Sequence, residues 1–359
     1  MERHFFFQNF IHVVLNDKNW PGPARRNVVD YWKAHQIEAN QVPDDNVLHL
    51  EVSMSESVRP PKNAVNIDNQ IFLSEDTLYQ RIRYKIARFS FCLTGLREME
   101  GDNYKLRLDV SGNYPSHWVW PFQVFINIIR WLAILRSFVL LHGLGVALPG
   151  KNAALLLGAS GTGKTLTSLA WLANNRQYYG DDTVLVNQGR LYGFWKPINL
   201  WFQRYQDNNA LEAYLPDLTA AERVADSFHR LIRSCSFGAF QVATSVFPGE
   251  KYIAPFALSQ QLTKIVVLRH GDTLQVEKEC APAPVAAMIK ADLLLESINV
   301  MRWQESLAML DPSHPLASWL EDSNKIIESL VYSSRIAIIS LPRTYGPGHF
   351  EKIQAILLE

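Results

Sequence analysis

Residues Leu155–Val186 read LLLGASGTGKTLTSLAWLANNRQYYGDDTVLV, and this stretch decides the fold of the C-terminal part of the chain. An apolar run leads into Gly158–Thr165, which satisfies the pattern G-x-x-x-x-G-K-[ST]. The run before the glycines predicts a β-strand, and Lys164–Asn174 predicts a helix. A strand, a glycine-rich loop and a helix in this order predict a phosphate-binding loop, or Walker A motif. A glycine turn without a ligand is the weaker alternative.

The chemistry of such a loop explains each of its residues. Glycines allow successive backbone N–H groups to turn towards one anion, and the helix that follows adds its own N-terminal donors. Lys164 would neutralise phosphate charge, and the Thr165 hydroxyl is a hard oxygen ligand for Mg²⁺. The predicted nucleotide-binding residues are Gly158, Ala159, Ser160, Gly161, Thr162, Gly163, Lys164, Thr165 and Leu166.

Two adjacent aspartates, Asp181 and Asp182, follow the predicted helix. Neighbouring side chains on a strand point in opposite directions, but at the start of a strand or at a bulge both could approach a nucleotide. One carboxylate could then accept the proton of an attacking hydroxyl, while the other binds Mg²⁺. The alternative is a polar strand end with both carboxylates in water.

The stretch around these motifs resembles the catalytic domain of the HPr kinase/phosphorylase family, and more closely that of its HPr-kinase-like relatives. The resemblance is carried by His142-Gly143 at a strand end, a short turn at Pro149–Asn152, the Walker A loop, one helix, and Asp181-Asp182. It is specific over about residues 140–200, loose to about residue 295, and does not cover the N-terminal third.

The resemblance implies an α/β (α+β) fold of the phosphoenolpyruvate carboxykinase-like P-loop type, and a transferase that moves the γ-phosphoryl of ATP to a serine hydroxyl. It makes Asp181 the general base. Asp182 and Thr165 become the Mg²⁺ ligands, and Lys164 holds phosphate. His142 would contact phosphate or a carboxylate, although a structural role for this histidine is the commoner alternative.

The chain also departs from that family. The glycine-rich stretch that follows the Asp-Asp strand in true HPr kinase/phosphorylases is absent, so neither the reverse reaction nor HPr as substrate is implied. We expect an ATP- and Mg²⁺-dependent kinase acting on a hydroxyl of a peptide or protein. A small-molecule kinase and a non-catalytic nucleotide sensor or assembly module remain alternatives, and oligomerisation stays open.

Composition narrows the functional classes. The chain has 359 residues, 48% of them hydrophobic, with 35 basic and 35 acidic residues. A balanced charge argues against a general nucleic-acid binder, and the apolar content argues against disorder. Cys92, Cys235 and Cys280 have no metal-ligand spacing. They predict reduced thiols, and with no signal peptide recognisable at the N-terminus we expect a cytoplasmic protein.

One long apolar segment, Trp118–Gly143, raises the question of a membrane span. Its polar residues Gln123, Asn127, Arg130 and Arg136 can share one helical stripe, and charges are costly in a bilayer. We therefore predict no membrane span but an internal helix with one water-facing edge, followed by a strand near Phe138–Leu141.

Two domains are predicted from the pattern of elements. Residues 1–115 predict a strand-rich N-terminal domain for substrate recognition or assembly, with a first strand at Phe5–Leu15 and a helical piece at Thr77–Arg88. Residues 116–359 predict the catalytic domain, with helices within Asp207–Ser236. Further site candidates, each with an ordinary structural alternative, are Lys196, Arg269, His270, Arg343, Trp20, Trp195 and Trp201.

Overall fold

The computed structural model describes most of the chain. The described residues are 2–8, 10–18, 20–22, 25, 28–29, 32–41, 47–97, 104–118, 124–159, 161–200, 220, 224, 227, 244–246, 259–342 and 347–359. These residues form a mixed α/β structure with two mixed nine-stranded sheets and a two-stranded ribbon. The chain divides into two compact units, unit 1 (Met1–Val139 and Asp292–Ile326) and unit 2 (Leu140–Ala291 and Ile327–Glu359).

The first sheet belongs to unit 1. Its strands are β1 Glu2–Phe7, β2 Ile11–Asn16, β3 Gln36–Ile37, β4 Leu48–Met54, β5 Val65–Asn66, β6 Ile71–Leu73, β7 Thr77–Tyr84, β8 Ala87–Thr94 and β9 Lys105–Gly112. They lie in the order β3-β1-β2-β4-β9-β8-β7-β6-β5. Strand β4 runs parallel to both β2 and β9, and the other pairs are antiparallel.

The second sheet includes the strand that the predicted phosphate loop follows, β12 Asn152–Gly158. Its strands are β10 Val139–Leu141, β11 Leu144–Leu148, β12 Asn152–Gly158, β13 Tyr178–Gly180, β14 Val184–Asn187, β15 Arg190–Tyr192, β18 Gln260–His270, β19 Gln275–Lys278 and β20 Arg335–Leu341; β16 Ile198–Leu200 and β17 Thr244–Val246 form the ribbon. Strand β18 runs parallel to β12 and β20. Strand β11 pairs antiparallel with β12 and β13.

Six α-helices occur among the described residues. They are α1 Ile126–Ala133, α2 Lys164–Ala173, α3 Pro282–Glu296, α4 Ile298–Leu310, α5 Trp319–Tyr332 and α6 Pro347–Leu358. Helices α2 and α6 pack against each other in unit 2, where Asn174 and Gln354 also lie within hydrogen-bonding distance.

The core of unit 1 forms where the alternating strands meet α1 and α4. Strand β8 alternates buried and more exposed residues, as expected of a sheet with one covered face. On the covered face, Phe91 contacts Trp303 edge-on, and Trp303 also contacts Trp131. The Trp303 indole donates to Gln80 Oε1 at 2.9 Å, so the polar groups of this aromatic cluster are paired.

Two local predictions for the N-terminal part are wrong. The stretch Phe5–Leu15 is not one strand, because a turn at Gln8, with a positive φ of 44°, separates β1 from β2. The stretch Thr77–Arg88 is not helical but forms β7 and the start of β8. Its spacing of apolar residues fits both periods, and pairing with β6 and β8 decides in favour of strand.

The apolar segment Trp118–Gly143 contains helix α1 and strand β10, so the predicted helix and strand are confirmed. The predicted water-facing edge is wrong for Asn127 and Arg130, which are buried. The Arg130 guanidinium donates to Asn127 Oδ1 at 3.1 Å and to the Glu296 carbonyl, and these acceptors replace water. Among the described residues, no helix is both long enough and apolar enough to cross a bilayer.

The compact units differ from the division predicted from sequence. Unit 1 takes in residues 116–139 and 292–326, which the predicted boundary near residue 115 assigns to the catalytic part. The strand predicted in the apolar run before the glycines is present as β12. The helices predicted within Asp207–Ser236 lie outside the described residues.

Candidate functional site

The glycine-rich loop connects the carboxyl end of β12 to α2. Strand β12 is almost fully buried and ends at Gly158, where a Cβ atom would lie 2.5 Å from the Leu268 carbonyl oxygen of β18. Only glycine therefore fits at this close approach of two parallel strands. Gly161 and Gly163 have φ values of 93° and 97°, in the left-handed region that glycine occupies without strain.

The loop is held in shape by its own polar groups. The Thr162 hydroxyl donates to the Ala159 carbonyl at 2.8 Å, and the Thr167 hydroxyl donates to the Gly163 carbonyl at 3.0 Å. The buried Lys164 ammonium donates to the carbonyls of Gly158 and Ala159. A buried ammonium at the start of a helix gives this loop a concentrated positive charge.

Helix α2 brings the loop next to the first aspartate. The Thr165 hydroxyl donates to Asp181 Oδ2 at 3.2 Å, which links the first turn of α2 to the end of β13. Strand β13 is held beside the loop because it pairs with β11, which in turn pairs with β12. The short loop–helix–strand unit therefore places one carboxylate against Thr165 of the glycine-rich loop.

Asp181 is a buried carboxylate, and one of its two oxygens lacks a partner within the part of the chain that the structure describes. Only 3% of the residue is exposed, and Oδ1 finds no hydrogen-bond donor among the described residues. Burial, together with the neighbouring charge of Asp182, raises the pKa of Asp181 from 3.8 to about 6, while Lys196 and Thr165 oppose the rise. This carboxyl therefore changes protonation just below neutral pH.

Asp182 has the opposite environment. Its φ of 65° places it in a turn between β13 and β14, and half of its side chain is exposed. Lys196 Nζ lies 2.6 Å from Oδ2, and His142 Nε2 lies 2.9 Å from Oδ1. The Lys196 ammonium, with a smaller contribution from His142, holds the pKa of Asp182 well below its usual range.

The turn between the two strands explains how adjacent aspartates acquire different roles. Gly180 passes so close to the Thr183 carbonyl that a Cβ atom would lie 2.4 Å from its oxygen. This tight turn directs Asp181 towards α2 and Asp182 towards His142 and Lys196. The aspartates lie in the bend between β13 and β14, next to a strand end, where the sequence allowed both carboxylates to approach one site.

The predicted site residues differ in where they lie. Thr165 contacts Asp181, and His142 contacts the next residue, Asp182. Lys164 precedes Thr165 at the start of α2, and its ammonium contacts the loop carbonyls. Lys196, only a weak candidate from sequence, contacts Asp182.

Other candidates have ordinary structural partners. Arg269 pairs with Glu277 and donates to Ser340, and the buried Trp195 indole donates to the Tyr178 carbonyl at 3.3 Å. Ser160, Trp201 and Arg343 lie outside the described residues.

Thr183 is a contributor that sequence reasoning missed. Its hydroxyl accepts from Lys196 Nζ at 2.9 Å and donates to the Asp182 carbonyl at 2.7 Å, so it fixes the lysine against the aspartate. A hydroxyl residue directly after the acidic pair was the only signal, and that signal is weak because threonine is common in turns.

Two side-chain oxygens beside the glycine-rich loop belong to Thr165 and Asp181. No cluster of three or more His, Cys, Asp or Glu side chains able to hold a metal occurs in the described part of the chain. Mg²⁺ is commonly bound by one or two protein oxygens together with phosphate oxygens and water. The Thr165 hydroxyl lies beside the loop and could be one such oxygen. Asp182, the second ligand that the resemblance implies, has its two oxygens beside Lys196 and His142.

Comparisons with protein-family models and with curated protein sequences find no match to this chain.

Proposed function

We propose that this protein is an ATP- and Mg²⁺-dependent kinase of the HPr-kinase-like type, which transfers the γ-phosphoryl group of ATP to a hydroxyl of a peptide or protein. The observation that carries the proposal is the contact between Thr165 and Asp181, 3.2 Å long. It sets a buried carboxylate with one unpaired oxygen beside a glycine-rich loop that has a buried lysine. A loop that only held a nucleotide would need no such base.

The two aspartates suit different parts of this reaction. Asp181 has a raised pKa and an unpaired Oδ1, so it suits the role of proton acceptor. Asp182 has both oxygens next to nitrogen donors and a low pKa, so it is a poor base at neutral pH. It would hold Lys196 and His142 in position, and it would reach the metal only by exchanging one of these partners.

The proposed reaction makes one P–O bond and breaks another. The acceptor oxygen forms a bond to the γ-phosphorus, the bond from that phosphorus to the β,γ-bridging oxygen breaks, and ADP leaves. The hydroxyl proton moves to Asp181 Oδ1. Mg²⁺, bound with the participation of Thr165, would supply charge neutralisation on the phosphate oxygens. Lys164 adds positive charge at the loop once phosphate replaces the carbonyl contacts of its ammonium.

The decisive experiment measures transfer and binding separately. Transfer of label from [γ-³²P]ATP is measured against a library of serine and threonine peptides, proteins and small alcohols, and ATP binding is measured by calorimetry. Asp181→Asn should reduce transfer by about 100-fold or more while ATP still binds. Asp272→Asn, which alters an exposed aspartate of the same unit, is the matched control and should retain activity.

Each result separates the alternatives. Binding without transfer in the unmodified protein would support a nucleotide sensor, and transfer only to small alcohols would support a small-molecule kinase. Full transfer by the Asp181→Asn protein would show that Asp181 is not the base.

A further inference from the structure

The hairpin formed by β7 and β8 in unit 1 has a dense, one-signed charge. Arg81, Arg83, Lys85 and Arg88 are all exposed. No Asp or Glu occurs from Thr77 to Arg97. In the described residues, none of the four cations forms an ion pair. We call these four residues the cationic hairpin.

Two of the arginines face each other directly. Arg83 and Arg88 are cross-strand partners in the register of β7 and β8, and Arg81 lies on the same face two residues before Arg83. Arg88 directs its backbone N–H and C=O away from β7, because both bond to Asn113. Arg83 and Arg88 are therefore a non-hydrogen-bonded pair, in which side chains come closest and like charges destabilise the sheet.

The outer edge of β7 is open beside Arg83. Strand β6 pairs with β7 only as far as Gln80, and the Arg81 N–H still bonds to the Gln70 carbonyl at 2.8 Å. Two residues further on, Arg83 points its backbone N–H and C=O to the same outer side, where the described residues supply no partner. The opposite edge of the hairpin is closed, since Asn113 bonds to Arg88 and Ile86.

The tip of the hairpin exposes apolar surface and has an unfavourable turn. Tyr84 is 48% exposed and Ile86 is 75% exposed. Lys85 has a φ of 52°, a conformation that glycine or asparagine adopts more readily in a two-residue hairpin loop. Like charges that face each other lower stability, and an open edge beside exposed apolar residues favours association with another chain. Folding alone therefore does not account for this set of residues.

We propose that the cationic hairpin binds an extended acidic peptide segment, which adds as a strand to the outer edge of β7. Backbone pairing at Arg83 would provide the hydrogen bonds, as in other cases of strand addition. Acidic side chains on one face of the bound strand would meet Arg81, Arg83 and Arg88. Apolar side chains on the other face would lie beside Ile82 and Tyr84. The chemistry therefore favours a segment in which acidic and apolar residues alternate.

This proposal does not rest on the proposed kinase activity, because every residue it names belongs to unit 1 and the candidate kinase site lies in unit 2. The probe is a fluorescein-labelled peptide of alternating glutamate and valine, with binding to the full chain measured by anisotropy without ATP. We expect Arg83→Glu and Arg88→Glu each to weaken binding by about tenfold or more. Arg97→Glu alters an exposed arginine already paired with Glu75, and it should leave binding unchanged.

Three further probes decide between partners. A peptide in which glutamine replaces glutamate, and one with N-methyl groups on alternate residues, should both bind at least about tenfold more weakly if charge and strand pairing act together. Equal or tighter binding of a uridine oligonucleotide, or of vesicles containing phosphatidylserine, would overturn the proposal in favour of a general polyanion surface. Absence of peptide binding, or binding unaffected by Arg83→Glu and Arg88→Glu, would also overturn it.

Discussion

The loop corner of unit 2 and the cationic hairpin of unit 1 differ in whether their charged groups are paired within the chain. We use the name loop corner for Gly158–Thr165 together with His142, Asp181, Asp182 and Lys196 of unit 2. Near the loop, Lys164 lies on loop carbonyls, and Asp182 lies between Lys196 and His142. On the hairpin, four cations are in water with no acidic partner among the described residues. The charged side chains of the loop corner hold each other in a fixed arrangement. The cations of the hairpin have no counter-charge among the described residues, and they form the surface that we propose for peptide binding.

Asp181 is the exception within the loop corner, because its charge is buried with one oxygen unpaired. The first prediction concerns how the free energy of unfolding depends on the protonation of Asp181. The folded-state pKa is raised, so the folded protein holds a proton that the unfolded chain releases between pH 4 and 6. The stability of the protein should therefore fall as pH rises through this window, and it should stay lower at pH 7.

Asp181→Asn should remove that cost and make the protein more stable at pH 7 by about 2 kcal/mol, allowing for an unpaired amide in place of the carboxylate. At pH 4 the two proteins should have nearly equal free energies of unfolding. Urea unfolding at both pH values measures the difference. A variant that is no more stable than the unmodified protein at pH 7 would mean that Asp181 is adequately solvated or paired in the folded state.

The second prediction concerns the paired aspartate next to it. The depressed pKa of Asp182 stabilises the fold above the ordinary aspartate pKa, and this contribution is lost as pH falls towards its folded-state value. Lys196→Met removes its main partner and should destabilise the protein at pH 7 by about 1 kcal/mol. The effect is modest because half of the Asp182 side chain is in water.

Thermal or urea unfolding of Lys196→Met should be compared with Lys151→Met, which changes an exposed lysine of the same unit. An equal effect of both substitutions would show that the ion pair with Asp182 adds no stability.

The strand, glycine-rich loop and helix around Gly158–Thr165 could be predicted from the sequence, and the hairpin could not, for physical reasons. A phosphate loop is local, so its glycines, lysine and threonine are fixed by their order in about ten residues. The contact of Thr165 with Asp181 could be anticipated because only one helix separates them. By contrast, the pairing of Asp182 with Lys196 depends on a tight turn, and a propensity pattern does not show which way each carboxylate points.

The hairpin could not be predicted, because the spacing of its apolar residues fits both a helix and a strand. The stretch Thr77–Arg88 has apolar residues at spacings that suit a helix, and only the neighbouring strands make it a hairpin. A helix would place Arg83 on the side away from the other cations. The sheet instead puts Arg81 and Arg83 on one face and sets Arg88 directly across from Arg83 on the neighbouring strand. The burial of Arg130 was missed for a similar reason, since its carbonyl acceptor at Glu296 is distant in sequence.

The third prediction has the smallest effect and bears most directly on the comparison. Arg83→Gln removes one of two like charges that face each other across the hairpin, and it keeps a long polar side chain. The substitution should therefore raise the free energy of unfolding by a few tenths of a kcal/mol, about 0.5 at low salt. Added salt should shrink the gain, because screening weakens the repulsion in the unmodified protein.

Arg302→Gln is the matched control for that measurement. Arg302 lies in the same unit and pairs with Asp68, so its removal should lower stability or leave it unchanged. If Arg83→Gln destabilised the protein as much as Arg302→Gln does, Arg83 would have a stabilising partner in the fold. The contrast between a corner that neutralises its own charges and a hairpin that does not would then fail.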